Sequence, residues 1–290
     1  MYNSRRINNK GWIALDIDGT VTDKLHTVPD DVREYLKGLA LEGWRIMFIT
    51  GRIFSLAYSA LQTLDFFHYL ALQNGADILE LPSKRLVSRS YLSRDLLTSI
   101  EEAYFGMKED FIIYAGYDEG DFCYYRPKKF SQNMLNYLQI LQSLSWTPWK
   151  PVSSFDQIIQ SQFPLVKCFG KKEAMQEIYS RLVKLPTLHA TMIRDNVGPD
   201  LYLILVTALE ATKGHAIDRI VALEDGKGPI IAAGDDFNDI AMLKKADVRI
   251  VMETAPEEVR NEAHIIAPPA AHSGIIEGLK KALQEKIDGS

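Results

Sequence analysis

Short, fully apolar runs are the feature that most constrains the fold of this chain. Four such runs, none of which alternates apolar with polar side chains, occupy residues 12–15, 46–49, 69–72 and 229–233. Amphipathic helical stripes lie between them, as where Val32, Leu36 and Leu39 recur on one helical face. Continuous apolar strands separated by helices are typical of a parallel sheet covered on both faces. The sequence therefore predicts an α/β fold with a doubly wound parallel-sheet (Rossmann-like) core.

The middle of the chain has a different pattern. After Gly75 the residues indicate a strand, a turn and a second strand, and a segment rich in Tyr, Trp, Pro and Lys follows at 111–165. The pattern of apolar runs separated by amphipathic helical stripes returns at Lys213. We predict a discontinuous core domain formed by residues 1–80 and 210–290, with an inserted α+β domain at residues 81–209.

Charge and composition exclude several classes of protein. A net charge of -5 argues against a general nucleic-acid binder, which would carry a basic excess. The longest apolar stretch, residues 201–209, is far shorter than the ~20 residues that cross a bilayer. Two cysteines without close spacing indicate neither a disulfide framework nor a zinc site. We expect a soluble cytoplasmic protein with no nucleic-acid or membrane partner, and the sequence does not indicate its oligomeric state.

Carboxylates follow two of the apolar runs. Asp16 and Asp18 come after the first run, and Asp235 and Asp239 come after the run at 229–233. Each segment alone is also compatible with an ordinary acidic turn or helix cap. Because parallel strands end at one edge of a sheet, the four carboxylates should converge and repel one another unless a cation intervenes. An all-oxygen set without His or Cys favours Mg²⁺.

Two further segments have the chemistry of a phosphate site. Thr50, Gly51 and Arg52 end the second run and offer a hydroxyl together with N–H groups at a helix start. Lys213 begins another helix and could add a point charge. In isolation, Thr50 could equally be a helix cap and Lys213 a surface lysine.

Taken together and in this order, the motifs resemble those of the haloacid dehalogenase superfamily, above all its Cof-type sugar-phosphate phosphatases. That branch carries a large α/β cap domain between its second and third motifs. The resemblance spans residues 12–80 and 210–285 and rests on the segments Asp16-Ile-Asp-Gly-Thr, Thr50-Gly-Arg, Asn74-Gly-Ala, Lys213-Gly and Gly234-Asp-Asp-Phe-Asn-Asp.

The resemblance implies a role for each motif residue. Asp16 would be the nucleophile that forms an aspartyl-phosphate, and Asp18 the general acid and later base. Asp16 and Asp235 would bind Mg²⁺ through their side chains and Asp18 through its backbone carbonyl, with Asp239 bound directly or supporting the site. The phosphoryl group would be held by Thr50, Lys213, Asn238 and the N–H groups of Gly51 and Arg52.

The implied activity is a magnesium-dependent phosphatase that hydrolyses small phosphorylated metabolites, such as sugar phosphates. Two alternatives stay open: a phosphomutase acting on hexose phosphates, and a non-enzymatic receiver-like phospho-switch. Substrate selection would reside in the inserted domain, where the candidate basic residues, each also compatible with a solvated surface, are Arg126, Lys128, Lys129 and Arg194.

Overall fold

The computed structural model describes residues 9–23, 27–146, 148–195, 197–198, 200–224, 226 and 228–288, the last four of these by their backbone only. The strands are β1 (Gly11–Leu15), β2 (Trp44–Ile49), β3 (His68–Leu72), β4 (Asp77–Leu81), β5 (Arg85–Arg89), β6 (Leu92–Ser93), β7 (Phe111–Tyr114), β8 (Cys123–Tyr125), β9 (Lys150–Pro151), β10 (Gln162–Phe163), β11 (Leu165–Gly170), β12 (Leu188–Arg194), β13 (Tyr202–Ala208), β14 (Ile230–Gly234), β15 (Val248–Met252) and β16 (Ile265–Ala267). The α-helices are α1 (Asp30–Leu41), α2 (Phe54–Leu61), α3 (Leu96–Ala103), α4 (Gln132–Ser143), α5 (Lys172–Leu182), α6 (Lys213–Leu223), α7 (Ile240–Leu243), α8 (Glu257–Arg260) and α9 (Gly274–Asp288).

The core is an eight-stranded sheet in the order β16-β15-β14-β1-β2-β3-β4-β5. Its first six strands run parallel, with Ile13 of β1 aligned to Ile231 of β14 on one side and to Ile46 of β2 on the other. Apolar residues of α1, α2 and α9 cover one face, and those of α6 and α7 cover the other. Both faces of the central strands are therefore buried, which explains their continuous apolar sequence and confirms the predicted doubly wound core.

The core sheet extends further along the chain than the sequence indicates. Strand β5 pairs antiparallel with β4, with Leu79 aligned to Leu86, so this hairpin belongs to the core sheet. The predicted boundary after residue 80 falls inside the hairpin and is corrected to a point beyond Arg89. Antiparallel strands at the edge of a mostly parallel sheet are common, and the change of pattern after Gly75 marks such an edge rather than a new domain.

The inserted segment forms its own six-stranded sheet, in the order β12-β13-β11-β7-β8-β9. Its pairs are antiparallel except for the short parallel pair of β8 with β9. Helices α3 and α5 pack on one face, and α4 packs on the other face together with Ile53 of the core. The segment at 111–165, whose organisation the sequence pattern does not reveal, supplies β7 to β10 and α4.

A buried carboxylate links this inserted domain to the core. Asp121, in the loop between β7 and β8, accepts hydrogen bonds from the N–H groups of Phe54 (3.1 Å) and Ser55 (2.8 Å). These are the first two residues of α2, so Asp121 satisfies N–H groups that a helix start leaves without partners. The helix follows the Thr50–Arg52 segment directly, so the inserted domain helps to fix that segment.

Among the described residues, no helix combines the length and the apolar character that a membrane-spanning helix requires.

Candidate active site

Three functional segments meet because their strands are neighbours. Strand β1 lies between β14 and β2, and Leu15 is aligned with Ala233 on one side and Phe48 on the other. Asp16 follows β1 and remains tied to β14, since its N–H donates to the carbonyl of Ala233 at 3.0 Å. Thr50 follows β2 in the same way. The carboxyl edge of the sheet therefore carries these polar groups, as the sequence predicts.

A buried acidic cluster lies at this edge. Carboxylate oxygens of Asp16, Asp235 and Asp239 all lie within 4.8 Å of one another. Gly19 has φ of 76°, and a Cβ at this position would stand 2.2 Å from Oδ2 of Asp235. A side chain at residue 19 would thus collide with the cluster, which explains the glycine between Asp18 and Thr20.

Lys213 supplies the cation of the cluster. Its Nζ donates to Oδ1 of Asp16 at 2.5 Å and to Oδ1 of Asp239 at 2.6 Å. The side chain is only 1% exposed, so the surface-lysine alternative is wrong. Burial alone disfavours the ammonium, but the two carboxylates outweigh it and raise the pKa of Lys213 above its usual value.

Asp239 uses both of its oxygens within the protein. Oδ1 accepts from Lys213, and Oδ2 accepts from the N–H groups of Asp235 (2.9 Å) and Asp236 (3.0 Å). Gly234 makes this possible, since a Cβ there would lie 2.5 Å from the Asp239 side chain. The carboxylate of Asp239 therefore holds both the lysine and the loop that carries Asp235.

The electrostatics of the cluster favour a bound cation. Burial raises the pKa of Asp16 to about 7, against the opposing effect of Lys213. Burial also raises the pKa of Asp235 well above its usual value, and the charges of Asp16 and Asp239 raise it further. Within this cluster, the carboxylates of Asp16, Asp235 and Asp239 are accompanied by one positively charged group, the ammonium of Lys213. Because the donors are all oxygens, the residues present fit a hard divalent ion such as Mg²⁺.

The carboxylate of Asp18 lies apart from this cluster and is held by Arg52. Nε of Arg52 donates to Oδ2 of Asp18 at 2.7 Å, and a second guanidinium nitrogen donates to Oδ1. The backbone N–H of Arg52, which is predicted to contact phosphate, donates to the hydroxyl of Thr50 at 3.1 Å. Sequence analysis missed the pairing of the Arg52 guanidinium with Asp18.

Two amides complete the core side of the site. Nδ2 of Asn238 donates to Oδ1 of Asn74 at 3.4 Å. The Cβ position of Gly51 lies 3.5 Å from the same oxygen of Asn74 and 4.0 Å from Nδ2 of Asn238. The structure thus brings together the five motif segments of the core, from the Asp16 segment to the segment that ends at Asp239.

Comparison with known proteins identifies the family. The model of the haloacid dehalogenase-like hydrolases matches residues 13–279 of the chain. The chain belongs to this hydrolase family. The resemblance derived from the motifs, including the Cof-type branch, is confirmed.

Individual relatives agree with this assignment. The Bacillus subtilis protein YxeH, provisionally named as a phosphatase, is 25% identical over 256 residues, which cover 87% of this chain and 90% of the relative. B. subtilis YwtE, named as a 5-amino-6-(5-phospho-D-ribitylamino)uracil phosphatase, is 23% identical over 91% of this chain and 94% of its own length. The solved structure of BT4131, described as a sugar phosphatase of subclass IIB, shares the fold with a TM-score of 0.74 and 21% identity, covering 94% of this chain and 98% of that one.

In this hydrolase the inserted domain faces the acidic cluster across a partly open cavity of about 170 Å³. The two domains are in contact here, since a methyl group of Leu205 on β13 lies 3.4 Å from the Cβ position of Gly51. The core side of the cavity includes Asp16, Asp18, Thr50, Gly51, Arg52, Asp235 and Asn238. The side of the inserted domain includes Tyr114, Tyr137, Lys167, Arg194, Asp195, Leu203 and Leu205.

Of the four predicted basic candidates in the inserted domain, only Arg194 lines this cavity. Arg126 donates to Asp110 at 2.7 Å and pairs with Glu101, and it lines a separate depression together with Lys128 and Lys129. Sequence reasoning missed Lys167. The available signal was a lysine between Leu165 and Phe169 in a strand that is otherwise apolar.

Proposed function

We propose that this hydrolase is a magnesium-dependent phosphatase of small phosphorylated metabolites and that it acts through a phosphorylated Asp16. The observation that carries the proposal is the buried Asp16 carboxylate, which is fixed by Lys213 and lines the cavity between the two domains beside two further carboxylates. The names of YwtE and BT4131 as phosphatases support the same reaction class. We also propose a cytoplasmic location and a small phosphorylated metabolite as the partner.

The first step is nucleophilic attack. Lys213 holds Oδ1 of Asp16, and its positive charge favours the ionised carboxylate. We assign Oδ2 to the attack on phosphorus, which forms the Oδ2–P bond and breaks the ester P–O bond of the substrate. Lys213, Thr50 and Asn238 would hold the phosphoryl oxygens as charge develops on them.

Asp18 completes both half-reactions. It would give a proton to the departing alkoxide and later take a proton from the water that attacks the phosphorylated Asp16, so that phosphate leaves and both carboxylates return to their first state. Before substrate binds, Arg52 donates to both carboxylate oxygens of Asp18. The guanidinium also matches a phosphate, so we infer that substrate draws Arg52 toward itself and frees Asp18 to carry a proton.

The metal would be held by the side chains of Asp16 and Asp235 together with the backbone carbonyl of Asp18. When bound, Mg²⁺ supplies positive charge that offsets the carboxylates and stabilises the phosphoryl group during transfer. Asp239 already accepts three hydrogen bonds through its two oxygens, which supports a role in holding Lys213 and the loop.

The decisive experiment measures release of free phosphate from p-nitrophenyl phosphate. We expect release with Mg²⁺, its loss on addition of a chelator, and its return when excess Mg²⁺ is restored. Interconversion of hexose 1- and 6-phosphates without net phosphate release would indicate the phosphomutase alternative. A stable phosphorylated Asp16 without turnover would indicate the phospho-switch, and activity that persists in the chelator would contradict the metal assignment.

A further inference from the structure

Lys167 of β11 lies in a row of otherwise apolar side chains, on the side of the inserted domain that lines the cavity. Side chains alternate across a strand, so Leu165, Lys167 and Phe169 of β11 share one face of the sheet. Leu165 and Phe169 are fully buried in the cluster on that face. The residues paired with Lys167 on the neighbouring strands are Ile112 and Leu205, which belong to the same cluster. Every neighbour in the row is therefore apolar.

The side chain of Lys167 is partly buried, and its ammonium has no acidic partner within 4.0 Å among the described residues. The ring centroid of Tyr114 lies 5.4 Å from its Nζ. Burial lowers the pKa of Lys167, and the more distant Asp195 only partly opposes this effect. A charge placed in this way destabilises a fold, so its presence on a central strand points to a ligand.

The position of Lys167 connects it with the reaction site. It lines the same cavity as Asp16, on the opposite wall. Leu205, directly beside it on β13, lies next to Gly51, since its methyl group is 3.4 Å from the position that a Cβ of residue 51 would take. A substrate whose phosphoryl group rests on Thr50 and Gly51 would therefore direct its other end toward Lys167.

Asp195, an acidic residue on the same wall, already accepts hydrogen bonds from within the protein. Oδ2 of Asp195 accepts from the hydroxyl of Tyr137 at 2.5 Å and from the N–H of Gly198 at 2.7 Å. Arg194 adds a second positive charge to the same wall. An anionic group on the substrate would find a desolvated ammonium without a carboxylate competing for it, which is where a charge-assisted hydrogen bond is strongest.

We propose that Lys167 is a specificity-determining residue that binds an acidic group, a carboxylate or a second phosphate, on the part of the substrate that is left after hydrolysis. This inference rests on the proposed phosphatase function. The cavity of about 170 Å³ further favours small substrates of this kind over large ones, since drug-sized ligands occupy roughly 300–1,000 Å³.

Two matched pairs of compounds test the proposal by competition against p-nitrophenyl phosphate. 3-Phosphoglycerate and glycerol 3-phosphate differ by a carboxylate, and fructose 1,6-bisphosphate and fructose 6-phosphate differ by a second phosphate. We expect the acidic member of at least one pair to bind about 10-fold more tightly than its neutral counterpart. The pair that discriminates identifies the acidic group. Equal inhibition constants within both pairs would overturn the proposal.

Variants assign the discrimination to Lys167. In Lys167→Met the preference for the acidic member should fall about 10-fold, whereas Lys167→Arg should retain most of it. Lys128→Met is the matched control, because Lys128 is an exposed lysine of the same domain outside the cavity, and it should keep the wild-type preference. Equal weakening of acidic and neutral compounds in Lys167→Met would mean that the residue only shapes the cavity.

Thermal unfolding gives a second measurement that does not depend on activity. Because Met removes a buried charge without an acidic partner, Lys167→Met should unfold at the same or a higher temperature than the wild type. A clear decrease would assign a structural role to Lys167 and contradict the inference. Failure of the wild type to hydrolyse p-nitrophenyl phosphate, which carries no second acidic group, would contradict the phosphatase function itself.

Discussion

Lys213 holds Asp16 on the core wall of the cavity, Lys167 lines the opposite wall, and the surroundings of these two lysines are opposite. Lys213 donates to the carboxylates of Asp16 and Asp239, and these raise its pKa. Lys167 lies among apolar side chains of the inserted sheet, and burial lowers its pKa. The core wall thus pairs its lysine with its own carboxylates, whereas the opposite wall leaves its lysine for a ligand to pair with. This difference separates residues that perform the reaction from residues that select the substrate.

The largest expected effect comes from the core wall. Asp16→Asn should lower kcat on p-nitrophenyl phosphate by about 10⁴-fold or more, because it removes the attacking oxygen's charge. Steady-state phosphate release at saturating Mg²⁺ measures the effect, and circular dichroism checks that the variant is folded. A folded Asp16→Asn protein with activity within a few-fold of wild type would remove Asp16 as the nucleophile.

Stability tests the comparison between the two lysines directly. At pH 8 without added metal, Lys213→Met should lower the free energy of unfolding by about 3–5 kcal/mol, because it leaves two buried carboxylates without their partner. Lys167→Met should cause no such loss. Urea unfolding of both variants beside the wild type measures the difference. Equal destabilisation would show that the two environments are not distinct in energy.

The core wall was largely predictable from sequence, for a physical reason. Strands buried on both faces are continuously apolar, so their ends stand out, and the residues just past those ends lie at one edge of the sheet. Asp16, Thr50 and Asp235 were located in this way. The burial of Lys213 was not, because a lysine at a helix start is usually exposed, and only the fold brings Asp239 to it.

The opposite wall was not predictable in the same way. The contacts of Lys167 depend on the pairing of β11 with β7 and β13, which are separated from it in sequence. The pairing of Arg52 with Asp18 depends likewise on a side-chain direction that no local pattern fixes. The predicted boundary after residue 80 divides the β4–β5 hairpin, because the sequence indicates an antiparallel hairpin without indicating which sheet it joins.

A third prediction concerns pH and a region of the core behind the site. His68 of β3 is buried, its Nδ1 lies 2.9 Å from the carbonyl of Phe66, and burial lowers its pKa to about 4. Between pH 6.5 and 4 the unfolded chain binds a proton that the folded chain does not. The stability contributed by neutral His68 is therefore present above about pH 6.5 and is lost as the pH falls toward 4, by roughly 3 kcal/mol at most.

His68→Gln is the matched variant, because its side chain keeps an N–H donor and does not titrate in this range. Urea unfolding from pH 7 to 4 should show a shallower loss of stability in His68→Gln than in the wild type. Since His68 lies away from the cavity, this loss is independent of the site charges. Parallel pH profiles for the two proteins would show that His68 is not the group responsible.

The smallest expected effect is that of replacing Arg52, which lines the core side of the cavity and contacts Asp18 rather than Lys213. Arg52→Lys keeps the charge and loses the two-pronged contact with Asp18, so kcat/KM should fall about 10-fold, mainly through a higher KM. Arg85→Lys is the matched control, because Arg85 makes a similar two-pronged pair with Glu80 on the exposed edge hairpin and should leave kinetics unchanged. A fall in kcat alone would mean that Arg52 acts only on Asp18 and does not bind phosphate. Wild-type kinetics in Arg52→Lys would mean that neither the contact of Arg52 with Asp18 nor a contact with phosphate contributes to the reaction.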